Sequence, residues 1–182
     1  PNMESLYQTI VNFTDVVAVG EGGPLDSLLN MTEKMEILKG DGDVLLAIGG
    51  GNMQFGGHGD DIMVTLGEVG HNFGGYGNDF MLSIGKYGYL NGNAGDDYMF
   101  GLGAYNVIHD SQGHNTVFGF GDRNDIRLGD GNDTIIVAGN KSKARAGSGY
   151  NLLMVYGAKN SIYLAGSDVV FAVGGENNYY IL

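Results

Sequence analysis

Cysteine is absent from this chain, so there is no disulfide framework and no thiolate site. Proline occurs only twice, and the 34 glycines lack the strict third-residue period that would mark collagen. A disordered linker is excluded as well, because 43% of the 182 residues are hydrophobic. No apolar run approaches the length of a membrane span, so no transmembrane segment is expected. No signal peptide is visible, and a chain that opens on Pro1 is expected to be a piece of something longer. Basic residues are scarce: nine Lys and Arg stand against 21 Asp and Glu, a formal net charge of −12. That balance argues against nucleic acid as a partner, and it fits either cation binding or a solvated acidic surface. What remains is glycine mixed with Val, Ile, Leu, Met, Phe and Tyr, the composition of many short strands joined by tight turns.

The chain repeats itself every 18 residues. Asp43, Asp61, Asp79, Asp97, Asn115, Asp133 and Asn151 lie on one lattice. Six residues later, Gly49, Gly67, Gly85, Gly103, Gly121, Gly139, Gly157 and Gly175 are all glycine. Two residues after the acids, Leu45, Met63, Met81, Met99, Val117, Ile135, Leu153 and Phe171 are all apolar. An 18-residue unit with two turns and two short apolar segments is one coil of an all-β, parallel β-solenoid, its coils about 4.8 Å apart. One coil cannot bury its own apolar face, so neighbours must stack. The glycine row is expected to supply positive φ at one turn, with the Asp/Asn row at the opposite turn. Residues 38–182 read as the solenoid. Residues 1–37 fit the lattice poorly and read as an atypical N-terminal capping or linking segment. Within it, 13–20 reads as a strand and 26–38 as a short helix or a degenerate coil.

The acidic turns resemble the RTX nonapeptide, G-G-x-G-x-D-x-U-x with U apolar. Gly56-Gly57-His58-Gly59-Asp60-Asp61-Ile62-Met63-Val64 and Gly74-Gly75-Tyr76-Gly77-Asn78-Asp79-Phe80-Met81-Leu82 match at every defined position. The stretches ending in Asp96-Asp97-Tyr98-Met99-Phe100 and Asn132-Asp133-Thr134-Ile135-Ile136 each miss one glycine. The resemblance implies a β-roll from a secreted, extracellular protein, most plausibly a large bacterial toxin. It implies Ca2+ held between successive turns by Asp carboxylates and backbone carbonyls, with Asp43, Asp60, Asp61, Asp79, Asp96, Asp97 and Asp133 as candidate ligands. Physical chemistry points the same way. Stacked Asp61, Asp79 and Asp97 repel by about 1 to 3 kcal/mol per neighbouring pair, and a divalent ion between coils would turn that into attraction. The bland reading is that Asp and Asn serve turn geometry alone. The other edge departs from the family pattern: its turns at Gly49, Gly67, Gly85 and Gly139 lack the Asp, and Asn52, Asn106, Asn124, Asn160 and Asn178 recur there. Those amides are expected either to bond between coils or to tolerate a left-handed turn.

The strands that follow the acidic turns are apolar on both faces. If the Met63, Met81, Met99 row fills the core, then Phe80, Leu82, Tyr98, Phe100 and Phe118 form an outer patch. That patch is expected to dock on another domain of a larger secreted protein or on a host-surface partner, unless residues 1–37 fold back over it. In the opposite sheet Leu90, Ile108, Ile126 and Ile162 alternate with His109, Asp125, Arg127, Lys143 and Arg145, a solvated outer face over a buried inner one. Six of the nine basic residues fall in the later coils, where they could engage a phosphate or sulfate or simply be solvated. The four histidines have no zinc-type spacing. Enzymatic β-helices build grooves from long loops, which a strict 18-residue period leaves no room for, and no nucleophile or phosphate-loop motif is present. The expectation is therefore a non-catalytic calcium-binding repeat module whose folding is coupled to the metal. The alternatives are a metal-independent scaffold or adhesin and, last, a carbohydrate-active β-helix.

Overall fold

The 18-residue repeat closes into a parallel β-solenoid. The computed structural model describes residues 18–21, 27–30 and 35–182, with side chains from residue 42 onward. One sheet has ten strands, from Ala18–Glu21 to Asn178–Ile181, and the other nine, from Ser27–Asn30 to Val169–Val173. Each strand pairs in parallel with the equivalent strand one coil away, for about eight turns, and no helix occurs among the described residues. The register holds at 18 through Val44, Ile62, Phe80, Tyr98, Thr116, Thr134 and Leu152. Strand pairing also runs into the segment before residue 38. Ala18–Glu21 pairs with Met35–Asp41, and Ser27–Asn30 pairs with Val44–Ile48 at a 17-residue step. Residues 13–17 lie outside the described residues.

The last coil corrects the lattice. It is one residue short: Leu152 pairs with Val169 and Ser161 with Asn178. Phe171, expected in the core row, is 60% exposed, and Val170 packs inward beside Leu153 instead. Gly174 rather than Gly175 takes the left-handed glycine position, at φ 135°. Asn177 rather than Asn178 continues the amide row. A deletion in the final coil has no later coil to reveal the change of phase, so counting alone cannot detect it.

Burial alternates along the strands as the pleat requires. Met63, Met81, Met99, Val117, Ile135 and Leu153 are fully buried on one sheet, and Leu90, Ile108, Ile126 and Ile162 on the other. Each such side chain contributes about 1.5 to 3 kcal/mol on burial. The two inner surfaces interlock. A methyl group added at Gly101 or Gly119 would press on Cδ1 of Ile108 or Ile126, so the large residues of one sheet fit against the small ones of the other.

The earlier coils have a polar interior that hydropathy patterning did not single out. Thr65 Oγ1 lies 2.7 Å from Oδ1 of Asn72 and 3.2 Å from Oε1 of Gln54, all three fully buried. Ser83 is equally buried, and its hydroxyl has no hydrogen-bond partner among the described residues. Removing a buried hydroxyl that makes no bond relieves a desolvation cost. Ser83→Ala is therefore expected to raise the unfolding free energy by about 1 kcal/mol in a denaturant titration, and a loss of stability would show that the hydroxyl is satisfied.

Candidate functional site

The acidic row forms an inward-facing ladder along one edge. The N–H of Asp43 donates to Oδ1 of Asp61 at 2.6 Å, that of Asp61 to Asp79 at 2.8 Å, and that of Asp79 to Asp97 at 2.7 Å. The series continues through Asn115, Asp133 and Asn151 to Asp168. These side chains sit where the turn enters the strand, and Asp43 through Asn151 are buried. From Asp61 onward each satisfies a backbone donor of the preceding coil that its own turn leaves without a carbonyl.

The second carboxylate oxygen is another matter. Oδ2 of Asp61, Asp79, Asp97 and Asp133 is buried and has no hydrogen-bond partner among the described residues. Burial pushes these carboxyls up, Asp61 and Asp133 to about 6, Asp79 to about 7 and Asp97 to about 8, against the opposing pull of the backbone hydrogen bonds. Neighbouring carboxylates raise Asp61, Asp79 and Asp97 further. The oxygens point at glycines. A methyl group at Gly56 would collide with Oδ2 of Asp61 and lie 2.7 Å from the Gly74 carbonyl oxygen. One at Gly74 would collide with Oδ2 of Asp79 and lie 2.9 Å from the Gly92 carbonyl oxygen. One at Gly92 would collide with both Asp97 and Asp110. The lack of a Cβ at these three positions leaves spaces that two oxygens face, one from the same turn and one from the next coil.

Asp110 is the acid that sequence reasoning missed. It lies 18 residues after Gly92, off the acidic lattice, and is 1% exposed. Its Oδ1 accepts the Gln112 N–H at 2.8 Å, its carboxyl lies within side-chain hydrogen-bonding reach of the Asp97 carboxyl, and burial raises its pKa. The signal was its place in the sequence, five residues before Asn115. There the lattice carries an amide, and Asp110 supplies a carboxyl from the end of the strand Val107–His109.

Asp60 and Asp96 do not join the inner row. They are exposed and make a second ladder on the outside of the same edge, running the opposite way. Asn78 N–H donates to Asp60, Asp96 N–H to Asn78, and His114 N–H to Asp96 at 2.7 to 2.8 Å. Asn132 N–H then donates to Nδ1 of His114, which fixes that nitrogen as the unprotonated one. Among the described residues no three His, Asp or Glu side chains converge tightly enough to hold a metal ion on their own.

This chain matches no family model, no curated protein and no solved structure.

On the opposite edge the amides bond between coils. Gly88 N–H donates to Asn106, Asn106 N–H to Asn124, Asn124 N–H to Ser142 Oγ, and Ser142 N–H to Asn160. The left-handed backbone falls one residue earlier than the amides, on Val69, Tyr87, Tyr105, Arg123, Lys141 and Lys159 at φ 58 to 63°. The expected patch lies on one outer face: Phe80 pairs with Tyr98, and Leu82, Phe100 and Phe118 are in register. Phe100 and Phe118 stack at 4.6 Å, while Phe80 and Tyr98 are 37% and 53% exposed. The described strand Ser27–Asn30 extends this sheet at its end rather than covering that face.

Proposed function

We propose that this chain is a calcium-responsive, non-catalytic repeat module of an RTX-like secreted protein. The observation that carries the reading is the row of buried carboxylate oxygens left without partners in front of Gly56, Gly74 and Gly92. Such oxygens must be protonated or neutralised by a cation. The donors are hard oxygens from carboxylates and carbonyls, the set calcium takes in flexible geometry. Asp61, Asp79 and Asp97 would hold the ion with Asp110 beside them, and the carbonyls of the glycine turns would complete the shell. The ion would supply positive charge that lets the acids stay ionised inside the fold. Binding to the folded chain alone adds to stability by mass action, which couples export as a loose chain to folding where calcium is plentiful. The apolar outer face would then dock on a neighbouring domain or a host-surface partner.

A metal-independent scaffold is the second reading. It is favoured by the fact that Oδ1 of Asp61, Asp79 and Asp97 already accepts an inter-coil N–H. One measurement separates the two: thermal melts by circular dichroism in chelator and in millimolar calcium, on the parent and on Asp79→Ala. A calcium-dependent rise that Asp79→Ala diminishes supports the metal ladder. Superimposable melts with and without calcium would leave the scaffold.

A further inference from the structure

We infer that the outer face of the ten-stranded sheet carries a binding site for a tetrahedral oxyanion, the phosphate or sulfate of an ester, centred on Lys143 and Arg145. The charge of this chain is strongly segregated. Residues 123–159 hold six of the nine basic residues and three of the 21 acids, a net of +3, so the rest of the chain stands at −15. One of those three acids, Asp133, is buried in the acidic edge and offers nothing to the sheet face.

The pairing of strands brings the basic groups together. Asp125, Lys143 and Ser161 share one outward column, and Arg127, Arg145, Tyr163 and Tyr180 share the other. The residues between them, Ile126, Ala144 and Ile162, are buried, so the charged side chains stand on a rigid floor. Arg127 and Arg145 are neighbours on adjacent coils about 4.8 Å apart. Asp125 is already committed: it takes Arg127 through both oxygens, at 3.1 and 2.6 Å. Lys143 and Arg145 have no carboxylate partner among the described residues. The Arg145 guanidinium is instead laid over the Tyr163 ring at 4.7 Å, and Tyr163 stacks on Tyr180 at 4.7 Å. That contact fixes the orientation of the guanidinium before any ligand arrives.

Asp125, Ile126, Arg127, Lys143, Arg145 and Tyr163 line a depression of about 180 Å³. That is room for one anionic head group. Three cations within two coils repel one another, and only one carboxylate is present to offset them. A tetrahedral oxyanion seated between Lys143 and Arg145 accepts from a guanidinium fork and an ammonium at once. The acidic remainder of the surface discourages non-specific anion adsorption, so an anion found here would be bound by this site.

The test is a chemical-shift titration of the full 182-residue chain, at constant ionic strength set with chloride. The probes are methyl phosphate and methyl sulfate, and the variants are Lys143→Ala/Arg145→Ala and, as a control on another coil, Lys86→Ala. Saturable shifts centred on Ala144 and Arg145, weakened about tenfold or more in the double variant and unchanged in Lys86→Ala, are expected. The ester that binds more tightly names the source. Absence of saturable shifts with either probe would overturn the site, as would equal binding by the double variant. If the double variant fails to fold, Arg145→Gln serves in its place with the same two outcomes.

Discussion

In chelator at about pH 8, Asp79→Asn is expected to melt roughly 10 °C above the parent, an advantage that vanishes near pH 4. The native ladder shows why the amide is tolerated. Asn115 and Asn151 already stand on this row and accept the backbone N–H of Asp97 and Asp133 through Oδ1. An asparagine at position 79 keeps the bond to the Asp61 N–H and places a donor where the unpartnered Oδ2 faces the Gly92 carbonyl. The pH dependence follows from the raised carboxyls. Asp61, Asp79 and Asp97 hold their protons in the folded chain up to about 6, 7 and 8, against an ordinary value of 3.8. Between those limits the folded chain binds more protons than the unfolded one, so stability falls as pH rises. The contribution is fully present below about pH 4 and is lost as pH climbs through the folded values. The metal-free protein is thus expected to be several kcal/mol less stable at about pH 8 than at about pH 4, the reverse of ordinary acid denaturation. Calcium should flatten that slope in the parent and do less in Asp79→Asn. A metal-free melting temperature that rises between pH 4 and pH 8 would show that these acids are ionised in the fold without help.

Gly85→Ala is expected to cost about 3 kcal/mol or more, whereas Gly175→Ala should leave stability unchanged. At Gly85 φ is +154°, and an added Cβ would run into the Gly67 carbonyl of the preceding coil. The collision is with backbone held at the inter-coil spacing by the Gly67 N–H to Ile84 carbonyl bond at 2.9 Å and its counterparts, so no side chain can yield. Nothing lies within 4 Å of a Cβ added at Gly175. The two glycines occupy the same row of the 18-residue lattice, and only the short final coil makes them different. Urea titration of both variants reads the difference, and equal losses would place Gly175 back in the row.

Much of this protein was legible in its residues. The 18-residue recurrence of Asp, Gly and Met determines the parallel coil, the alignment of Met63, Met81 and Met99 in one row, and the two edges, because every coil must present the same residue types to its neighbours at one fixed spacing. Period-two alternation puts Phe80, Leu82, Tyr98, Phe100 and Phe118 on the face opposite the Met row, but both faces are apolar, and only the family resemblance pointed to which one turns outward. What the residues could not reveal is which way each carboxylate turns. Adjacent Asp60 and Asp61 share a turn, yet one hydrogen-bonds outside toward the following coil and the other inside toward the preceding one. That division depends on which backbone N–H groups the neighbouring coils leave open. The same holds for Asp110, whose burial beside Asp97 follows from strand pairing across 18 residues and from no local motif. The short last coil and the meeting of Lys143, Arg145 and Tyr163 are likewise products of register. Periodicity specifies the lattice, and only the closed solenoid decides which polar atoms on it find partners.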